Sequence, residues 1–399
     1  MDPFMVKRLR NNDPDLVHLS FVGQHWGPDE AEALARALSH NTTVQSIRLG
    51  RNAIGFRGSA SIARVLKSNA TIEYVDMSKN DIGNRGMSEF AEALRENQTL
   101  KVLKLSESGI GDEGLNDLSE SVLKRTCVLT RLELMGNMFG TAGFIALSKA
   151  FQRSMPRLFT LNLSWNVLDE RGMQHLADGI ARSATISSLN LSMCDLSTDG
   201  VGILAGGLQV NKTIEDLDLS GNNIDGKGTS YLVDALLEHP RIENINLKSN
   251  NVGEDGVKAV STLVENRSRI SLNLLFNDLD ITGAKALAIA IRKNPSCTRP
   301  VLRYLSIIKK SLASKAITMA PLKLFSYLTD LYVDFQKPVV RKILLGAVYG
   351  AGIQQIQMNL FHNEQTHLVP LAMWRVGSKL HLDGFYELLR SKPELICGV

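Results

Sequence analysis

The sequence predicts an α/β right-handed solenoid, with parallel strands on the concave face and helices on the convex face. Three observations carry that prediction. Aligned on itself, the chain repeats in steps of 28 or 29 residues, with units beginning at Leu16, Val44, Ile72, Leu100, Leu129, Leu158, Ile186, Ile214, Ile242 and Ile270. Each unit opens on the outline LxxLxLxxNxL, plain in VQSIRLGRNAI, IEYVDMSKNDI, LFTLNLSWNVL and IEDLDLSGNNI. Each then changes period, from alternation to a helical LAxAL pattern, and closes in outline on NxT.

Each element has a local reason. Residues 1–15 precede the first unit and are assigned to an N-terminal cap. Within a unit, alternation such as Leu217, Asp218, Leu219 marks a short strand with its leucines turned inward. The Asn at the ninth place (Asn52, Asn80, Asn137, Asn166, Asn222, Asn250 and Asn277) stands where the chain leaves the strand, and its amide can satisfy backbone groups there. Gln24, Ser108 and Cys194 hold that place in the other units. A Gly fourteen residues into the unit, as at Gly58, Gly86 and Gly228, lies where the helix starts and lets backbones approach. The Asn near the helix end is expected to suit a left-handed exit. The tenth unit, ISLNLLFNDL, is one residue short before its Asn.

The array spans residues 16–300. Beyond it the period is lost: LRYLSI reads as one last strand, and KPVVRKILLGAVYGAG and LDGFYELLRSKP read as helices. Because an open solenoid end exposes core, residues 301–399 are assigned to a C-terminal α/β capping segment. One strand and one helix cannot bury their own apolar faces, so the units must stack. Helices are wider than strands, and the stack therefore bends into a horseshoe.

Composition narrows the function classes. Of 399 residues, 44% are hydrophobic, 22% charged and 6% aromatic, as in a folded globular chain. No apolar run approaches the roughly 20 residues that cross a bilayer, and the N-terminal stretch lacks the apolar centre of a secretory signal. A cytoplasmic protein without membrane contact is expected. Four cysteines (Cys127, Cys194, Cys297, Cys397) show neither zinc nor disulfide spacing. Seven Asn-x-Ser/Thr triplets, at Asn41, Asn69, Asn97, Asn162, Asn190, Asn211 and Asn266, recur at fixed places and read as repeat features rather than glycan sites. Residues 301–399 carry 12 Lys+Arg against 6 Asp+Glu, scattered rather than clustered.

Catalytic constellations are weak. GNNIDGKGT resembles a phosphate loop but puts Gly228 where the magnesium-binding hydroxyl belongs, and its sister segments lack the Lys. HNEQTH spaces its histidines by five places, not the four of a zinc-protease helix. No catalytic residue, cofactor or metal is expected.

The units resemble the leucine-rich repeats of the ribonuclease-inhibitor type over about residues 16–295. That resemblance implies a horseshoe that holds a protein partner against its strand face, without implying that family's own target. Outward residues at the third and fifth places supply the candidate site: Arg48, Tyr74, Asp76, Lys104, Arg131, Glu133, Asp216 and Asp218. Trp165, in the turn before its ladder Asn, joins them as a candidate anchor, since Trp, Tyr and Arg dominate interface energetics. A face of mixed charge fits a protein better than nucleic acid, which favours a basic stripe; the chain is expected to be a monomer. Ran GTPase-activating proteins have similar units, but their arginine-bearing loop among the early repeats and their acidic end are missing from this sequence. Innate immune receptors carry such arrays beside an ATPase module, for which this sequence has no room, leaving a stand-alone regulator as the related alternative.

Overall fold

The computed structural model describes residues 1–122, 127–152 and 157–267, with scattered positions from 269 to 294. The capping segment assigned to 301–399 lies outside the described residues. Ten strands of three residues form one parallel sheet in chain order: β1 (His18–Ser20), β2 (Ser46–Arg48), β3 (Tyr74–Asp76), β4 (Val102–Lys104), β5 (Arg131–Glu133), β6 (Thr160–Asn162), β7 (Ser188–Asn190), β8 (Asp216–Asp218), β9 (Asn244–Asn246) and β10 (Ser271–Asn273). Helix α1 (Pro3–Arg10) precedes them. Between successive strands run α2 (Pro28–Leu38), α3 (Gly55–Ser68), α4 (Gly83–Glu96), α5 (Asp112–Val122), α6 (Thr141–Gln152), α7 (Glu170–Arg182), α8 (Thr198–Val210) and α9 (Gly226–Leu237), and α10 (Gly253–Asn266) separates β9 from β10.

This is the α/β solenoid the repeat implies, strands on the concave face and helices on the convex. The middle residue of each strand pairs with the middle of the next, as Leu161 with Leu189 and Leu189 with Leu217, and all of these are buried. Fourth-place and sixth-place side chains, such as Leu103 with Leu105 and Leu217 with Leu219, run as one core from repeat to repeat. Each such burial contributes roughly 1.5–3 kcal/mol, which a single unit could not collect alone. Strands sit about 4.8 Å apart and packed helices about 8–10 Å, so the strand side is the inside of the bend.

Two asparagine ladders tie the repeats together. Asn222 donates to the carbonyls of Leu191 (2.7 Å) and Leu219 (3.0 Å) and accepts from the N–H groups of Cys194 (2.8 Å) and Leu196 (3.3 Å). Asn80, Asn137, Asn166, Asn250 and Asn277 likewise donate to one carbonyl in the preceding repeat and one in their own. At Cys194 the thiol contacts the Leu163 carbonyl at 3.4 Å, and burial pushes its pKa up to about 11.

The second ladder corrects the expected left-handed helix exit. Asn69, Asn97 and Asn211 have φ of −73°, −68° and −60° in extended backbone. Their side chains do the work instead. Asn211 accepts from the N–H groups of Thr213 and Ile214 and donates 2.7 Å to the Ile180 carbonyl of the preceding helix. Left-handed backbone falls instead in the turn after the strand, at the eighth place, as at Arg51 (φ 59°), Trp165 (φ 59°) and Ser249 (φ 57°), and in several units also at the tenth, as at Asp81 (φ 47°) and Asn223 (φ 56°). Asn41, Asn69, Asn97 and Asn211 are all buried, so the folded chain cannot offer these four triplets to glycosylation.

The helix-start glycines meet their neighbours as expected. A Cβ on Gly58 would lie 2.9 Å from that of Ala31, and one on Gly143 would lie 2.7 Å from Asp112 Oδ1. In the tenth repeat the missing residue falls between the leading Ile270 and the strand, because Ser271 pairs with Asn244, two places after Ile242. At the N-terminus, α1 buries Leu9, whose carbonyl accepts from Asn41 Nδ2 at 2.7 Å.

Candidate protein-binding face

Because side chains alternate along a strand, the residues on either side of each buried middle one lie on the concave face. The parallel register aligns Arg48 with Asp76 and Lys104, and Tyr74 with Val102 and Arg131. Tyr74 lies between two cations: the Arg48 guanidinium is 5.4 Å from its ring centroid and the Lys104 ammonium 6.0 Å. Lys104 and Arg131 both reach Glu133, at 3.0 and 2.6 Å. Burial of Glu133 disfavours its charge, but the hydrogen bonds from Lys104 and Arg131 together outweigh that and hold its carboxyl below the usual range. Thus Arg48, Tyr74, Lys104, Arg131 and Glu133 form one cluster across β2 to β5.

The remaining candidates stand apart. Asp76 Oδ1 accepts from the Ser78 N–H (3.0 Å), and Asp218 Oδ1 accepts from the Ser220 N–H (2.9 Å) and hydroxyl (2.7 Å). Asn162, Asn190 and Asn246 make the same bond to the N–H two residues on. The fifth place therefore closes the strand with an Asx turn, a role that the recurring DxS and NxS triplets signalled and pattern reading missed. It also accounts for the triplets at Asn162 and Asn190. Asp218 accepts further from Asn246 (2.9 Å), and Asp216 accepts from Asn244.

Trp165 is 58% exposed in the turn after β6, three strands from β3 and one strand beyond β5, where the Tyr74 cluster ends. Around it lie exposed apolar residues absent from the candidate set: Met138, Val167 and Met193. They occupy the eighth and tenth places of repeats five to seven, outside the strand positions considered, and a hydropathy reading restricted to those two places would have found them.

The phosphate-loop likeness dissolves on inspection of its hydrogen bonds. Asp225 caps α9 and accepts from the Gly228 N–H (2.8 Å), Thr229 is fully buried with its hydroxyl on the Asp225 carbonyl (2.7 Å), and the Lys227 ammonium sits 5.5 Å from the Tyr231 ring centroid. The N–H that would face a phosphate already holds a carboxylate. Among the described residues no group of three or more His, Cys, Asp or Glu could hold a metal ion, and no helix is long and apolar enough to cross a membrane.

The family described as Leucine Rich repeat matches residues 68–91, 96–119 and 210–233. No relative among the curated proteins matches the sequence. Solved structures similar to this chain include leiomodin-1 actin-binding site 2 (22% identity, TM-score 0.33, covering 37% of this chain and 86% of that one). TLR13 in its complex with ssRNA13 is similar over 65% of this chain and 33% of its own length (18% identity, TM-score 0.40). The tropomodulin C-terminal domain of Caenorhabditis elegans is similar over 44% of this chain and 89% of its own (14% identity, TM-score 0.30). The matched segments run from β3 into α4, from β4 into α5 and from β8 into α9, so the likeness to the Leucine Rich repeat family falls on the third, fourth and eighth units of the ten-strand solenoid.

Proposed function

We propose that the chain is a non-enzymatic interaction protein of the ribonuclease-inhibitor type, acting in the cytoplasm as a monomer and holding a protein partner on its concave face. One observation carries this reading: Arg48, Tyr74, Lys104, Arg131 and Glu133 converge on the outer side of β2 to β5 while the fold's own needs are met by the buried middle residues and the asparagine ladders. Aromatic and arginine side chains in such clusters dominate interface energetics. Asp76 lies within the same strands, Trp165, Asp216 and Asp218 extend the surface toward β8, and residues 1–15 and 301–399 serve as end caps. Leucine-rich repeats, as a class, serve protein interaction.

Affinity capture with the wild type beside an Arg48→Ser/Arg131→Ser variant tests the reading. Proteins recovered by the first and lost by the second are expected; identical recoveries overturn it. Purified chain is expected to leave GTP hydrolysis by Ran unchanged, and acceleration would return the GTPase-activating alternative.

A further inference from the structure

The strand-and-turn segments of repeats six to eight, residues 158–169, 186–197 and 214–225, contain six acidic residues and no Lys or Arg. Three of the acids are accounted for. Asp169 and Asp225 cap helices, and Glu215 pairs with Arg241 at 3.4 Å. Asp195, Asp216 and Asp218 make no ion pair among the described residues. Asp195 and Asp216 are exposed and Asp218 half-buried.

Beside these carboxylates runs an apolar rim. Met138 and Val167 are each 74% exposed, Trp165 58% and Met193 44%, at adjoining places in three successive repeats. The backbone holds them in step: the Trp165 N–H donates to the Ser192 carbonyl (2.9 Å) and the Met193 N–H to the Ser220 carbonyl (2.8 Å). Met193 fills the space that a side chain at Gly221 would need, which directs it toward the repeat bearing Asp216 and Asp218. None of the four is required by the turn. Ser249 takes the same left-handed conformation (φ 57°) at the eighth place, and Asn223 and Asn251 stand at the tenth.

We propose that this rim and the acidic strands beside it form one docking surface for a segment of a partner protein that carries a large apolar side chain next to lysine or arginine. The proposal rests on the reading that the concave side binds protein, and it names the chemistry at the end of that surface farther from Arg48. Large apolar side chains supply the anchor, and unpaired carboxylates within reach select cationic flanks and reject anionic ones.

Fluorescence anisotropy of the full chain against synthetic peptides tests it. Peptides of equal length carry a Leu or Trp anchor with Lys flanks, the same anchor with Glu flanks, or Lys flanks around Ser. The anchored cationic peptide is expected to bind on the order of tenfold more tightly than either other set. Trp165→Ser/Met193→Ser is expected to weaken it by about 30-fold. Asp195→Asn/Asp216→Asn/Asp218→Asn is expected to weaken it several-fold and flatten its salt dependence. Equal or better binding of the anionic peptide, or affinity unchanged by the rim variant, overturns the proposal. A concentration-dependent dimer in sedimentation that disappears in Trp165→Ser also overturns it, by making a second copy the occupant. Arg48→Ser/Arg131→Ser separates the two readings: a captured partner lost with that variant but retained with the rim variant leaves the concave-face reading standing and removes this one.

Discussion

Repeats two to five and repeats six to eight share one backbone register, the same buried middle residues and the same ladder geometry, yet their surfaces differ in kind. In the first group, Lys79 pairs with Glu107 (2.8 Å), Lys101 with Glu73 (2.7 Å), and Lys104 and Arg131 with Glu133. In the second, Asp195, Asp216 and Asp218 face the concave side or its rim with no ion pair among the described residues, next to Trp165 and Met193. A solenoid separates the residues that hold it together from those that face outward, so the two sets vary independently. The first surface is largely neutralised by its own ion pairs, whereas the second keeps charge and apolar area for something else.

The comparison breaks first if the two groups do not share one core. Leu103→Ala and Leu217→Ala each remove a fully enclosed fourth-place side chain and are expected to cost about 2–5 kcal/mol, nearly alike, in urea unfolding. A cost confined to one of them would mean two independent cores. Next come the ladders. Asn80→Ala and Asn222→Ala leave buried carbonyls and N–H groups without partners, and a loss of about 1–3 kcal/mol each is expected by the same measurement.

Protonation sharpens the contrast. His239 takes the helix-exit Asn place before β9; its Nδ1 accepts from the Ile242 N–H (3.1 Å), and its Nε2 is buried without a partner. Burial, with Lys212 and Arg267 adding to it, lowers its pKa from 6.5 to about 4. Between those values the unfolded chain binds the proton and the folded chain does not. Stability is therefore expected to fall as pH drops from 6.5 toward 4, and His239→Asn to remove that slope. Glu133 works in a lower window. Its depressed carboxyl stabilises the fold above the unfolded carboxyl's pKa, and that contribution is lost as pH falls further, through the folded value. Amide exchange followed against pH is expected to loosen β8–β9 before β4–β5; the reverse order would contradict these assignments.

The smallest effects belong to the exposed pairs. Lys79→Ala is expected to change unfolding by less than about 1 kcal/mol. Trp165→Ser, a residue largely in solvent, is expected to leave stability within about 0.5 kcal/mol while altering binding. A large loss of stability in Trp165→Ser would place that side chain among the structural residues.

Much of the fold could be read from spacing alone, because a residue repeated every 28 positions does the same thing in every copy. Asn222 as a ladder residue and Gly58 as a close approach follow from their places in the unit. The helix-exit Asn was misread because its sequence position suits two solutions, a left-handed backbone or a side-chain ladder, and only the neighbouring carbonyl at Ile180 selects the second. Asp76 and Asp218 looked like free surface charges, since nothing in a strand pattern reveals a bond to the N–H two residues on.

By itself the sequence determined the repeat, its inward and outward faces and the residues that link one unit to the next, since these depend on contacts that recur at a constant separation. Only the tertiary structure decided which outward side chains meet: Tyr74 between Arg48 and Lys104, Glu133 under two cations, and Trp165 in line with Met193 and unpaired carboxylates. Apart from Arg131 with Glu133 in one strand, those meetings join residues about one repeat apart, and their partners depend on rotamers and on register across the sheet, which the period of a sequence does not specify.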